Sequence, residues 1–449
     1  MLRFVIGRSG SGKTTALYHE LSECAAQAAP LFLLVPEQAS YENERRLLTE
    51  LGPVLSQRVQ VTSFTHMTHT VFREVGGIGG RRMDPTLSLL LISQALHSVA
   101  DHLKVYHKHV DSPDYLQALA GMLRECKQCA ITPTLMSEVA ATLPDSVLRE
   151  KLTELSMIFE AYEALVSQAE LIDPLDDLTW LAKVLPDCHT FDGAHIYVDG
   201  FKGFTKQELL VLEQLMSRAA SLTLTLCTDT VAVHEGQEFD RFAVAIRTAA
   251  DLRDAAYRMH VPVAAPQVLT DNRRTSDPAL LALEQGCFAA NAPSFDEPTE
   301  AVTVTACTDR AEECRYAARL IRRLLRENGG RCRDYTVVAR DMTAYADLME
   351  AALRREGLPC CRDYREPVAT QPLITLVASA LSALVHGWDT NDILRIVGSG
   401  LAGFSATSAA QLENYVFVWN FRRQGWRQTF TEHPDGLTAV ADEQSDNRL

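Results

Sequence analysis

A glycine-rich segment close to the start of the chain ends in a lysine followed by a threonine. It has the pattern G-x-x-x-x-G-K-T, in which successive backbone N–H groups point towards phosphate oxygens. In such a loop the lysine reaches the β- and γ-phosphates, and the hydroxyl takes one position on Mg²⁺. We therefore predict that ATP and Mg²⁺ bind here. The predicted loop consists of Gly7, Arg8, Ser9, Gly10, Ser11, Gly12, Lys13 and Thr14.

A carboxylate that could complete the magnesium site follows the β-rich residues 195–198. Asp199 is our predicted Mg²⁺ ligand, and the alternative is that it only caps the Asp-Gly turn. Gly200 stands where many motor ATPases place the glutamate that activates water, so we do not expect efficient hydrolysis. Glu208, on the next predicted helix, is a candidate for that role. The alternative for Glu208 is a solvated position on the helix face.

Alternating short apolar runs and amphipathic stretches predict the elements that hold these residues. Strands are expected at residues 2–6, 31–35, 59–64, 195–199 and 222–227, and helices at 14–24 and 206–218. Strand, loop and helix thus follow one another in the order that a phosphate-binding loop requires. The predicted fold class is α/β, with a parallel sheet of the P-loop, RecA-like type.

A long helical stretch interrupts this pattern, and a second α/β block follows it. Residues 85–185 are predicted to be helical and inserted into the sheet domain, with prolines at the helix boundaries. Residues 262–298 are interpreted as a linker with one helix at 278–288. The second block is expected to have strands at 302–307 and 335–339 and helices at 311–326 and 344–356. Helical character returns after residue 405.

Composition limits the classes of protein to which the chain can belong. The 449 residues carry a formal net charge of −15, which excludes a generally basic surface and confines any nucleic-acid contact to local grooves. No signal peptide is recognisable, and no apolar run reaches the roughly 20 residues that span a bilayer, so we expect a cytoplasmic protein. Cys126 and Cys129 have the spacing of half a zinc site, but no second pair with that spacing exists.

Taken together, the order and spacing of these segments resemble the AddB subunits of bacterial AddAB (RexAB) helicase-nucleases. The resemblance extends over essentially the whole chain. Besides the phosphate loop, it rests on Val35-Pro36-Glu37-Gln38, Thr62-Ser63-Phe64 and Val198-Asp199-Gly200-Phe201-Lys202-Gly203-Phe204-Thr205.

The resemblance implies a superfamily 1 helicase-like architecture in several segments. RecA-like domain 1A would comprise residues 1–84 and 186–295, the latter with the linker, and helical domain 1B would comprise residues 85–185. Part of RecA-like domain 2A would occupy residues 296–404, and the start of helical domain 2B residues 405–449. It also implies a heterodimer with an AddA-like helicase-nuclease. Such complexes resect double-stranded DNA ends for homologous recombination. A nuclease domain and an iron–sulfur cluster are expected only beyond Leu449.

The resemblance further implies which residues contact DNA and nucleotide. The AddB subunit reads the recombination hotspot Chi in single-stranded DNA, which places Gln38, Phe64, and Phe201 or Phe204 as candidate DNA-binding residues. An amide can bond a base edge and an exposed phenyl ring can stack on a base, whereas rings packed under the sheet edge could not. Arg340 resembles a helicase arginine that approaches the γ-phosphate.

Two other functions remain open on the sequence. The chain could be a free-standing P-loop ATPase or kinase that acts on a small molecule, because the loop begins so near the initiator methionine. It could also be a binding scaffold in which ATP only stabilises the fold. The helical insertion and the second block argue against a compact kinase.

Overall fold

The computed structural model describes residues 1–25, 29–76, 80–234, 239–289, 292, 294–361 and 368–432. It divides into two compact units, Met1–Thr303 and Val304–Leu449. The strands are β1 (Leu2–Gly7), β2 (Leu31–Leu34), β3 (Val59–Thr62), β4 (Arg81–Arg82), β5 (Leu171–Ile172), β6 (His195–Val198), β7 (Ser221–Cys227) and β8 (Gln267–Leu269).

Some helices of the first unit pack against the sheet, and others, which come after β3 in the chain, pack against one another. They are α1 (Lys13–Ala25), α2 (Ser40–Ser56), α3 (Phe64–Val75), α4 (Pro85–Ser98), α5 (Pro113–Gln128), α6 (Pro133–Thr142), α7 (Val147–Gln168), α8 (Asp177–Val184), α9 (Lys206–Arg218), α10 (Ala243–Arg258) and α11 (Pro278–Gly286). The helices of the second unit are α12 (Arg310–Asn328), α13 (Met342–Arg355), α14 (Pro372–His386), α15 (Thr390–Gly398) and α16 (Ala406–Val418).

Six of the strands form one parallel sheet in the order β3-β2-β6-β7-β1-β8. Because side chains alternate along a strand, Phe32 and Leu34 lie in the core on one face of the sheet, and Leu31 and Leu33 lie in the core on the other. Both faces are covered by helices, which explains why these strands are almost continuously apolar. The predicted α/β fold with a parallel sheet is confirmed.

Helices α4–α7, which lie between β3 and β6 in the chain, bury an apolar core of their own. Leu96, Leu123, Ile158 and Phe159 lie at its centre and are at most 2% exposed. An N-terminal cap stabilises the first of these helices: the Asp84 carboxylate accepts a hydrogen bond from the Leu87 N–H at 2.8 Å, at the start of α4. The predicted helical character of this stretch is realised with α4–α7 as a separately packed group, whereas Leu181 of α8 lies in the core of the sheet domain.

From the predicted linker onwards, the chain departs from expectation in two places. Part of the interpreted linker is in fact β8, which pairs in parallel with β1, Val268 lying opposite Ile6. Such a short edge strand has too few residues to show alternation. The expected strands at 302–307 and 335–339 are not formed. Val304 and Val338 are 95% and 86% exposed, and within the described part of the second unit no strand lies beside either segment.

The predicted helices of the second block are formed by α12 and α13. They pack through a small core around Cys314, Ala318 and Leu353. Residues 433–449, at the end of the expected domain 2B, lie outside the described residues. Among the helices that are described, none is both long and apolar enough to cross a bilayer.

Candidate nucleotide-binding site

The phosphate loop lies between β1, an interior strand of the sheet, and the first turn of α1. Gly10 and Gly12 have φ values of +84° and +85°, a left-handed conformation that only glycine adopts without strain. At Gly7 a Cβ atom would lie 2.6 Å from the Leu269 carbonyl oxygen. The glycines of the motif are therefore required by the backbone of this turn, and α1 begins directly after it at Lys13.

Lys13 and Ser11 carry the polar groups of the loop interior. The Lys13 ammonium donates to the Gly7 and Arg8 carbonyl oxygens at 2.7 and 2.8 Å. Burial lowers the pKa of Lys13, an effect that the negative charges of Cys227 and Asp199 oppose. The Ser11 hydroxyl is buried and has no hydrogen-bond partner in the structure. A bound phosphate group could accept hydrogen bonds from both the Ser11 hydroxyl and the Lys13 ammonium. Lys13 would then give up its two contacts with the carbonyl oxygens.

The segment after β8 covers one side of the loop, which the sequence did not predict. The Arg273 N–H donates to the Gly10 carbonyl oxygen at 2.7 Å, and the Arg274 guanidinium donates to the Ser9 hydroxyl at 3.3 Å. The only sequence signal was a pair of adjacent arginines after a β-rich triplet in an acidic chain. These guanidinium groups add positive charge where phosphate oxygens are expected.

A cavity of about 740 Å³ adjoins the loop on this side. Arg8 lies at its edge and donates to the Asp229 carboxylate at 2.8 Å, with Glu284 at 4.0 Å. The cavity is lined by Arg8, Ser9, Ser11, Asp229, Val268, Leu269, Thr270, Asp271, Asn272, Leu281, Glu284 and Gln285. Its walls combine polar side chains with the apolar Val268, Leu269 and Leu281, a mixture that suits the ribose and base of a nucleotide.

Asp199 follows β6 at the carboxyl edge of the sheet. It is buried, accepts a hydrogen bond from the Thr225 hydroxyl, and raises the pKa of Lys13 through its negative charge. Thr14 is half-buried at the start of α1. A hydroxyl and a carboxylate are oxygen ligands of the kind that Mg²⁺ prefers, so these residues fit the predicted ion chemically.

Glu208 has a structural partner that the sequence interpretation did not anticipate. Its carboxylate accepts the Thr205 N–H at 2.7 Å, while the Thr205 hydroxyl accepts the Glu208 N–H, and together they form a capping box at the start of α9. This carboxylate is committed to the helix terminus. The half-buried Glu208 side chain thus has a structural partner through one carboxylate oxygen, and its role in water activation stays a prediction.

The aromatic residues predicted to contact DNA lie together at one edge of the sheet. The Phe64 ring is 7% exposed and packs edge-to-face against Phe201 and Phe204, with ring centroids 5.7 and 6.2 Å away. Phe201 and Phe204 are only partly buried. The packed alternative therefore describes Phe64, which is shielded from stacking on a base, whereas the other two rings retain an exposed part.

Gln38 lies in the turn after β2 and is exposed. Its neighbour Glu37 accepts a hydrogen bond from the Ser63 hydroxyl at 3.2 Å, which ties this turn to the start of α3. The turns after β2, β3 and β6 thus meet, because these strands are adjacent and parallel. Arg340 lies in the second unit and is exposed.

Comparison with known proteins adds independent information on ancestry. Residues 4–284 match the family model described as ADDB, N-terminal. Three similar curated proteins are each named as the B subunit of an ATP-dependent helicase/deoxyribonuclease. The one from Acetivibrio thermocellus is 31% identical over 95% of this chain and 38% of its own length. The proteins from Desulforudis audaxviator and Heliobacterium modesticaldum are both 32% identical to this chain over 95% of its length. The matched regions make up 37% and 36% of those two proteins, respectively.

The chain therefore spans less than two fifths of the length of these relatives. The family model, by contrast, covers more than half of the chain. It includes the phosphate loop, most of β1 and the other five strands of the large sheet. On this match the chain belongs to the AddB N-terminal family.

Proposed function

We propose that this chain is the ATP-binding, helicase-like portion of the B subunit of an ATP-dependent helicase/deoxyribonuclease that resects double-stranded DNA ends. The observation that carries the proposal is the phosphate loop, in which a glycine turn, Lys13 and the unsatisfied Ser11 hydroxyl lie between β1 and α1. Family membership and the names of the relatives support the DNA-processing context.

In this proposal the residues of the chain bind and orient ATP more than they hydrolyse it. Lys13 exchanges its carbonyl contacts for phosphate oxygens, and Arg274 adds a second cation on the covered side. Thr14 and Asp199 would hold Mg²⁺, which would neutralise phosphate charge. No carboxylate follows Asp199 to activate water, so the site is regulatory or only weakly hydrolytic.

DNA contacts are proposed at the edge where the turns after β2, β3 and β6 meet. Gln38 would bond a base edge, and Phe201 and Phe204 would stack on bases in single-stranded DNA. Phe64 would support these rings from beneath. This edge is our candidate for Chi reading, and Arg340 remains a candidate for approach to the γ-phosphate.

The wider assembly and the segmentation are also proposals. We infer domain 1A at residues 1–84 and 186–295, domain 1B at 85–185, domain 2A at 296–404 and domain 2B from 405. The separate core of α4–α7 supports this division. The proposed partner is an AddA-like helicase-nuclease, the proposed substrate is DNA, and the proposed location is the cytoplasm.

Replacing Lys13 with alanine tests the nucleotide site. We expect Lys13→Ala to weaken ATP·Mg²⁺ binding about 10- to 100-fold in calorimetric titration, because a charged hydrogen bond to phosphate contributes about 1.5–3 kcal/mol. Lys202→Ala, which removes an exposed lysine after β6, is the matched control and should leave the affinity unchanged. Equal affinity of the two variants would disprove the site.

The same preparation distinguishes the DNA-processing subunit from a small-molecule kinase. We expect the chain to bind labelled single-stranded DNA in a filter assay, because exposed rings stack on unpaired bases. A kinase should ignore DNA and transfer phosphate to a small acceptor. Retained ATP binding without any DNA binding would contradict the DNA role but not the nucleotide site.

A further inference from the structure

One face of α12 carries a concentration of arginines that the proposed nucleotide and DNA sites do not use. Arg322, Arg323 and Arg326 lie three, four and seven residues after Arg319, which places the four arginines on the same side of the helix. We call these four residues the arginine face. They line a cavity of about 570 Å³ together with Glu327 and Glu356.

The arginine face keeps an excess of positive charge. Glu356, whose side chain is 23% exposed, lies 3.8 Å from Arg319 and 3.7 Å from Arg322. Within the described part of the chain, no carboxylate lies within 4.0 Å of Arg323 or Arg326. Four cations and two anions line the cavity, which leaves a net charge of 4 − 2 = +2. Such an excess is unusual in a chain whose formal net charge is −15.

The geometry of this face matches a phosphate backbone. Seven residues of helix rise about 10 Å, a length along which one strand of duplex DNA presents about three phosphates. Guanidinium groups bind phosphate oxygens through paired hydrogen bonds, and their planar shape suits this contact better than a lysine does.

The lining of the cavity favours a nucleic acid over an acidic protein surface. Only arginine and glutamate line it, with no apolar or aromatic side chain among them. The centre of a protein–protein interface is depleted in charge and enriched in aromatic residues, whereas nucleic-acid interfaces are polar and strongly positive.

We propose that the arginine face is a second nucleic-acid contact, which binds the phosphate backbone of a DNA strand without regard to base sequence. The proposal deepens the DNA role proposed above and rests on it, but it does not require the phosphate loop. It therefore survives if the chain fails to bind ATP.

The test is salt-dependent binding of a labelled oligothymidine of about 20 nucleotides by the whole chain in the absence of ATP. The variant Arg323→Gln/Arg326→Gln removes the two arginines without a carboxylate partner and keeps good helix formers. Arg247→Gln/Arg258→Gln, on exposed positions of α10, is the control with the same change in net charge. Circular dichroism confirms that each variant is folded.

We expect the arginine-face variant to bind the oligonucleotide about tenfold more weakly at low salt. Its slope of log affinity against log salt should fall by about 1.4, since two phosphate contacts on a single strand are lost. A duplex of the same length should show a parallel loss. Binding that equals that of the control variant would overturn the proposal. A larger loss towards polyglutamate than towards DNA would overturn it in favour of an acidic protein partner.

Discussion

At the scale of single residues, Gly200 limits the chemistry available beside Asp199. Its φ of +82° is left-handed, and an added Cβ would lie 3.3 Å from the Pro36 ring. A glutamate at this position would be strained even before its carboxylate were placed. The absence of a water-activating group after Asp199 is thus a consequence of the backbone as well as of the sequence.

We expect Gly200→Glu to destabilise the protein without creating an ATPase. The left-handed conformation should cost about 1–2 kcal/mol in the free energy of unfolding. Phosphate release should stay at the wild-type rate, because the strained residue cannot position its carboxylate. Urea unfolding and a phosphate-release assay measure the two effects.

Gly121→Glu provides the control for this substitution. Gly121 lies within α5, and a Cβ added there would have no neighbouring atom within 4 Å. Glutamate forms helix better than glycine, so this variant should be at least as stable as the wild type. A Gly200→Glu protein that hydrolysed ATP faster than wild type would show that the backbone there adapts.

At the scale of elements, β8 determines how the phosphate loop is enclosed. Because β8 pairs with β1, the residues that follow it lie directly against the loop, and Arg274 contacts Ser9. Arg274 also contributes to lowering the pKa of Lys13, after the larger effect of burial. The two cations therefore occupy one electrostatic environment.

Replacement of Arg274 by glutamine should weaken ATP binding about tenfold, since one charge-assisted contact to phosphate is lost. Arg247→Gln removes the same charge from an exposed position of α10 that does not line the cavity beside the loop, and it should have little effect. Isothermal titration with ATP·Mg²⁺ compares the two variants. If Arg274→Gln bound ATP more tightly than the wild type, we would conclude that Arg274 obstructs the loop and does not bind phosphate.

The elements recoverable from the sequence are those whose local pattern is complete. The helix at 206–218 was predicted with its observed bounds because its apolar spacing lies within the segment itself. β8 was missed because pairing with β1, and not its own alternation, makes it a strand. The segments at 302–307 and 335–339 show the converse, a β-rich pattern without a neighbouring strand in the described structure.

The features of the candidate site also fall into those that a local sequence pattern predicts and those that it does not. The glycine loop could be predicted because its spacing is local. The covering arginines and the burial of Phe64 depend on contacts between distant segments, which spacing does not reveal. The capping role of Glu208 was missed although the Thr205-x-x-Glu208 spacing is local.

At the scale of the whole molecule, a buried ion cluster joins the helical group to the sheet domain. The Lys127 ammonium, at the end of α5, lies 2.7 Å from both Asp173 and Asp176, next to the start of α8. The Tyr162 hydroxyl also donates to Asp173, at 2.8 Å. Burial alone would lower the pKa of Lys127, but Asp176 and Asp173 outweigh it, so the pKa is raised.

We expect Lys127→Met to lower the free energy of unfolding by about 3–5 kcal/mol, because two carboxylates lose their buried partner. Since the pKa of Lys127 is raised on folding, its contribution is fully present below the unfolded value near 10.5 and is lost only as pH rises through the folded value. Urea unfolding at neutral pH measures the deficit.

Lys104→Met is the control, because Lys104 is exposed and lies 3.8 Å from Glu150. This variant should change stability by less than about 1 kcal/mol. A Lys127→Met protein as stable as the control would mean that water or relaxation of the α5 terminus solvates the two aspartates.

The pairing of β1 has a consequence for synthesis on the ribosome. Leu2 lies beside Leu222, so the strand that precedes the phosphate loop meets its neighbour only after 222 − 2 = 220 further positions have been translated. At ribosomal rates this delay is roughly 10–45 s. Throughout it, a strongly apolar hexapeptide is without its sheet neighbours, which makes the nascent chain a natural client for chaperones that hold exposed β-strands.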